Sequence, residues 1–448
     1  QGLLYAAQRE GRWAIYETRR QRADERHFHG ATSLKEALLV GGTSDATQPK
    51  VSPDGRQLAY LEDHRRLKVM DLATKATRTL LTERDLFTQG EGGIEFAWSP
   101  DSRWVLFELS TPGLAPGEVG LVQADGRGPV HNLTRSGFDD GRPQWILGGK
   151  AVLWTSTRDG LKPVAQNGPT QQDAYALFLD RGAWDRFRLT KAELALVKEV
   201  EEKPDEKKDP KPEDKKGEAK GDPAKAKVEP LTLDLEDLET RRARLTLHSA
   251  SLGDVLLSKD GETLYTLARF EKGLNLWATT LRTKEAKLLV TLNASQARMA
   301  WDPEQKALFL LADGTLSKVD PASAKREPIA LAGEVALDVA AERRAMFEHV
   351  WRRTRRSFYT AGFHGADWDG LKAAYARHLP GISNNHEFAE LLSELLGELN
   401  VSHCGASYTP ANPLADATAS LGLIYDGAHP GPGLKVAEVL KGGPLDTP

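Results

Sequence analysis

The sequence predicts a multidomain protein, with a β-propeller of irregular repeats, about six to seven blades, followed by a small α-helical core domain. Two observations carry that expectation. A turn-bearing hairpin recurs through roughly the first two thirds of the chain, and after about Gly333 the apolar period changes from that of a strand to that of a helix. The size fits as well, because 448 residues, 40% of them hydrophobic, bury more than one core and suit two or three domains.

The repeats come first. Lys50-Val51-Ser52-Pro53-Asp54-Gly55 leads into Arg56-Gln57-Leu58-Ala59-Tyr60, and about 47 residues later Ala97-Trp98-Ser99-Pro100-Asp101-Ser102 leads into Arg103-Trp104-Val105-Leu106-Phe107. A weaker copy spans Gln144 to Trp154, and further copies start at Leu256 and Ala300. Each copy is a short strand, a Pro-Asp-Gly type turn and an apolar strand, which is hairpin chemistry. More polar strands follow, as at Leu67 to Leu72 and Asn275 to Thr279. A period of about 40 to 50 residues with several strands per unit points to propeller blades, since one four-stranded blade cannot cover both of its own faces. About six units fit between Gln1 and Leu331, the first incomplete, giving a propeller over 1–335. An irregular β-sandwich is the competing architecture. Within the repeats, about 198–229 is almost entirely Lys, Glu, Asp, Pro and Ala, too polar to offset the entropy of ordering it, and is expected to be a disordered surface insertion.

The helical domain is expected over 336–413. Phe347, Val350, Trp351 and Phe358 make one apolar face, beside Arg352, Arg353, Arg355 and Arg356. Those arginines suit a solvated or salt-bridged face, with binding of a phosphate or carboxylate as the alternative. A second helix starts near Asp367 as N-cap, buries Trp368, Leu371 and Tyr375, and stops at Pro380-Gly381. The third sets Phe388, Leu391, Leu392, Leu395, Leu396 and Leu399 on one face, with Glu387, Glu390, Glu394 and Glu398 solvated on the other. Asn384 and Glu387 have capping-box spacing, and Asn400 can end the helix in a left-handed conformation, delivering Ser402 and His403 just past it.

Composition excludes several classes. Lys and Arg (60) nearly cancel Asp and Glu (64), leaving a net charge of -4 that drives the chain toward neither nucleic acid nor an anionic membrane. A single cysteine, Cys404, excludes an internal disulfide framework and a cysteine-rich zinc site. No apolar run approaches the roughly 18 to 20 residues needed to span a bilayer. The chain opens on Gln1 with no charged-then-apolar leader, so any export signal is expected to have been removed or to lie upstream.

Few residues remain for chemistry. His386-Glu387 lacks the second histidine of a zinc-peptidase helix, and His364, Asp367 and Asp369 are better explained by capping and turns, so neither metal nor cofactor is expected. His27 and His29 read as surface residues. Ser402, His403 and Cys404 are the last constellation. Adjacent residues on a strand face opposite sides, so neither Ser402 nor Cys404 is expected to serve His403 as a nucleophile, and no Gly-x-Ser-x-Gly elbow exists in the chain, Gly405-Ala406-Ser407 being the nearest approach.

Phe363-His364-Gly365-Ala366-Asp367-Trp368-Asp369, the Tyr375 to Leu379-Pro380 segment and Leu395-Leu396-Gly397-Glu398-Leu399 followed by Ser402-His403 resemble, in order, the helical core domain of the tricorn protease family, within the C-terminal processing peptidases. A propeller before this domain fits the family, and Leu421-Gly422-Leu423-Ile424 through Val436 to Pro444 resembles the first strands of the PDZ domain that follows in it, here over 414–448. The resemblance implies a serine endopeptidase acting on oligopeptides or unfolded polypeptides, with His403 as general base and Ser402 as a supporting hydrogen-bonding residue. It also implies that the nucleophilic serine lies in a domain beyond the PDZ domain, so that this chain alone is inactive. Cys404 and Val401 depart from the family pattern, which has Thr or Ala at the first and a small or polar residue at the second. By the same resemblance the particle is a hexamer, its propeller a gate for peptides, and its compartment the cytoplasm, with the periplasm as alternative. The competing function is a non-enzymatic scaffold whose propeller and PDZ domain bind peptides, the latter by strand addition.

Overall fold

The computed structural model describes residues 2–9, 11–22, 24–25, 27–86, 93–110, 116–162, 170–202, 229–410 and 420–446. The chain divides into two compact units, Gln1–Ala336 and Leu337–Pro448.

Among the described residues the first unit holds six consecutive antiparallel sheets, one of three strands and five of four. The three-stranded sheet comes first (Gly2–Arg9, Arg12–Arg20, Leu34–Val40), in line with an incomplete first repeat. The second is typical of the rest: Ala46–Val51, Gln57–Glu62, Arg66–Asp71 and Thr77–Leu81 pair in chain order. Each of the later four also keeps its strands next to one another in sequence order.

The apolar strands explain why the sheets stack face to face. Side chains of a strand point alternately to its two faces. Leu58 and Tyr60 pack with Ile15 of the first sheet, whereas Ala59 and Leu61 pack with Phe96, Trp98, Val105 and Phe107 of the third. The third sheet repeats the division, since its Leu106 joins Val152 and Trp154 of the fourth. Leu153 and Ala176 then meet Val255 and Leu264 of the fifth, and Leu267 and Leu276 meet Leu308 and Leu310 of the sixth. Every seam between consecutive sheets has its own core, which is the blade arrangement of a propeller.

A tryptophan ties several seams. Trp98 donates its indole N–H to the Lys50 carbonyl (2.9 Å), Trp145 to Ala97 (3.3 Å) and Trp301 to Leu257 (3.0 Å), each reaching back to the preceding sheet. The recurring turns have a common chemistry. Ser52 Oγ donates to Asp54 (2.6 Å) and accepts from the Gln57 N–H (2.9 Å); Ser99 and Ser258 do the same with Asp101 and Trp104, and with Asp260 and Thr263. The turn needs a left-handed residue, supplied by Gly55 at φ 76° and Gly261 at 77°, and by Ser102 at 62° in the copy that lacks glycine. In the weak copy a one-turn 3-10 helix at Leu147–Gly149 replaces the motif.

Two helices interrupt the fourth sheet where strand periodicity announces none: α1 (Arg181–Arg188), capped by Asp180, and α2 (Lys191–Glu202). Trp184 and Phe187 of α1 pack against Phe178. The Arg282 side chain caps the far end of α1 through the Arg186 and Phe187 carbonyls (3.1 and 3.2 Å) while paired with Glu262 (2.6 Å). The charged insertion expected at about 198–229 is therefore helical at its first residues, 198–202, because α2 runs into it; 203–228 lie outside the described residues.

The second unit opens with α3 (Val339–Ser357), α4 (Trp368–Ala376) and α5 (Asn385–Gly397). Their core is Phe347, Trp351, Trp368, Phe388, Leu391, Leu392, Leu395 and Leu399. Phe358, expected inside the first of these helices, is its extended C-cap and still packs on the core. Asp367 and Asn384 cap α4 and α5 as their spacing requires. The expected capping box closes one residue early, Glu387 accepting from the N–H and hydroxyl of Ser383 (2.8 and 2.9 Å) instead of the Asn384 N–H. Past 420 the chain forms a two-stranded antiparallel ribbon, Leu423–Tyr425 with Val436–Val439. That ribbon is what the structure has where a PDZ start was expected. Among the described residues no helix is long and apolar enough to cross a membrane.

Candidate active site

The segment after α5 is built from the helix outward. The apolar face of α5 drives Leu399 to complete burial, and Asn400 then turns left-handed at φ 50°. Val401 rests on the helical core and so does Ala406, while Ser402, His403, Cys404 and Gly405 between them are exposed. These four residues form an arch. Its far foot is fixed by Ser393 of α5, whose hydroxyl donates to the Ala406 carbonyl and accepts from the Ala406 N–H, both at 2.8 Å. Beyond it the Tyr408 ring meets the edge of His386 at 4.9 Å between centroids.

His403 stands on the arch at φ 62°, a conformation costing a residue with a Cβ about 1–2 kcal/mol. Ser402 and His403 occupy a turn, not the strand whose alternation separates them in the sequence argument. Among the described residues their side chains nonetheless make no hydrogen bond with each other or with Cys404. An exposed imidazole held on a short pinned loop can exchange a proton with a group brought to it from elsewhere.

The other candidates have structural partners. Asp367 accepts from the Gly370 N–H (3.0 Å), Asp369 pairs with Arg355 (2.6 Å), and His364 shares a 2.5 Å hydrogen bond with the Tyr359 hydroxyl. His27 and His29 are exposed and stacked on one another. The arginine-rich face of α3 is partly paired, Arg352 with Glu348 (3.4 Å). Glu387, Glu390 and Glu394 of α5 and its C-cap Glu398 are exposed along one wall of a cleft of about 540 Å³ that also contains Tyr375, Arg377 and His378. That face is less purely solvated than its spacing suggests, because Tyr375 donates to Glu398 (2.8 Å), and burial followed by this bond pushes its phenol up to about 12.

Sequence reasoning missed Ser393. It is one polar residue between the core leucines and the glutamates of α5, and nothing in the helical period says that it reaches thirteen residues ahead.

Residues 339–397, from the first residue of α3 to the last of α5, match the family described as the tricorn protease C1 domain. Over this segment the chain is similar to the tricorn protease family. Over 67 residues it is 40% identical to tricorn protease homolog 2 of Streptomyces coelicolor and 36% identical to tricorn protease homolog 1 of the same organism. Each alignment covers 15% of this chain and 6% of the relative. The fold similarity is wider. The crystal structure of the tricorn protease superposes with a TM-score of 0.61 at 12% identity, over 95% of this chain and 39% of that one. The tricorn likeness thus covers the six sheets as fold, and the helical part by sequence as well. Ser402 and His403 fall five and six residues past the matched segment.

Proposed function

We propose that this chain is part of a serine endopeptidase that hydrolyses oligopeptides or unfolded polypeptides by acyl transfer, with His403 as general base. His403 accepts the proton of a serine hydroxyl as that oxygen attacks the substrate carbonyl, and passes it to the leaving amine when the acyl-enzyme forms. Ser402 supports the group by hydrogen bonding, and the nucleophilic serine comes from sequence beyond this chain. The observation that supports the assignment is the placement of an exposed, pinned histidine directly after a tricorn C1 domain. In the same reading the ribbon at 423–439 begins a PDZ domain, the sheets form a propeller gate for peptides, and the assembly is a hexamer working in the cytoplasm.

A positioned general base contributes about 10² to 10⁴ in rate. His403→Ala in the full-length protein should therefore lose that much peptidase turnover while still binding peptide. Near-normal turnover would sink the assignment and leave the peptide-binding scaffold.

A further inference from the structure

We propose that Ser393 is the positioning residue for His403, an inference that rests on the reading of His403 as general base. Four exposed residues, Ser402 to Gly405, separate two anchored ones. The first anchor, Val401, follows the fully buried Leu399 and packs on the helical core. The second, Ala406, also touches that core, but a methyl group alone fixes neither the height nor the rotation of its peptide. Ser393 fixes both. Its one hydroxyl is used twice, as donor to the Ala406 carbonyl and as acceptor from the Ala406 N–H, each 2.8 Å long. A serine inside a helix ordinarily turns back on its own preceding turn or faces solvent. This one instead binds both polar groups of a single residue outside its helix, from the rigid element that carries the core leucines. With both feet fixed and only four residues between them, the chain closes by placing His403 in the left-handed region. The imidazole direction is thus set by Ser393 from ten residues away, without contact between the two side chains.

The test uses the full-length protein with Ser393→Ala and Ser393→Thr. Alanine favours a helix more than serine does, so α5 keeps its propensity and loses only the two bonds; unchanged amide exchange in α5 verifies this. A spin label on Cys404, the single cysteine of this chain, reports motion of the arch, or after substitution of any cysteine in the remaining sequence does so alone. Kinetics are measured on unlabelled protein. A displaced base costs about 10- to 100-fold, so Ser393→Ala should lower kcat by that factor with KM unchanged and mobilise the label. Ser393→Thr, which keeps the hydroxyl, should restore both. An unchanged kcat, or a label no more mobile than in the parent, overturns the proposal. A His403→Ala protein with full turnover removes the general-base role instead, and label mobility in Ser393→Ala then decides by itself whether the hydroxyl holds the arch.

Discussion

Trp351 donates its indole N–H to the main-chain carbonyl of Trp368 (2.9 Å), and Trp368 returns the bond to the carbonyl of Trp351 (3.1 Å). The pair locks α3 to the start of α4 at buried positions, where an unmade hydrogen bond is costly. Phenylalanine at 351 keeps an aromatic ring but removes the indole bond to the buried Trp368 carbonyl. Trp351→Phe should cost about 1–3 kcal/mol, read as faster amide exchange throughout α3 in hydrogen-exchange mass spectrometry. Unaltered exchange would show the exchanged bonds to be ornamental.

The seam tryptophans make an additive set. Trp98→Phe and Trp301→Phe each remove one indole bond between neighbouring sheets, and each should lower the unfolding free energy of the first unit by about 1–2 kcal/mol. The two seams share no partner, so the double variant should sum the single effects to within about 0.5 kcal/mol. Urea titration followed by far-UV circular dichroism measures all three.

Burial raises Asp254 and Glu108 above the ordinary carboxylate range, and Asp140 likewise, since desolvation disfavours the charged form. The sign follows from proton uptake. A folded state that holds its proton more tightly than the unfolded chain loses stability as pH rises from the unfolded value, about 4, through the raised folded one. Asp254 accepts from the N–H of Met299 (3.0 Å) in the next sheet, a bond that an amide oxygen can keep. Asp254→Asn should therefore flatten the fall in denaturation midpoint above pH 4, and an identical slope in both proteins would refute the role of Asp254.

An active-site phosphonate should label no serine in this chain. Ser402 lies in the turn with His403 but makes no bond to it among the described residues, and Ser407 follows the pinned Ala406. Tryptic mass spectrometry showing an adduct on either serine would place the nucleophile inside this chain.

Arg282 ties α1 to the fifth sheet through the Arg186 and Phe187 carbonyls, the carbonyl of the C-cap Leu189, and Glu262. Arg282→Met keeps a long apolar stem and removes those bonds. Exchange should accelerate in 181–189 and stay unchanged in the fifth sheet; acceleration in both would mean that the guanidinium supports the sheet itself.

Local chemistry made the repeats legible. Ser52, Ser99 and Ser258 each satisfy their own turn within five residues, so the hairpins could be read from adjacent letters. The helices after Asp338 were equally open to reading, because their apolar periods and caps act within a few turns, and so was the exit of the chain toward His403 through Asn400. The strand on which Ser402 and His403 were expected was not real, since the turn there depends on Ala406 being drawn back to α5.

By itself the sequence determined the units: where the turn-bearing hairpins recur, where the period changes, and which histidine follows the third helix of the helical domain. Tertiary structure decided what lies between them. The alternate faces of one strand fill two different seams, α1 is bound by Arg282 of a neighbouring sheet, and Ser393 holds a residue thirteen positions away. Periodicity reports the direction of a side chain relative to its own backbone, whereas the identity of the surface it meets depends on contacts distant in sequence, which no local pattern encodes.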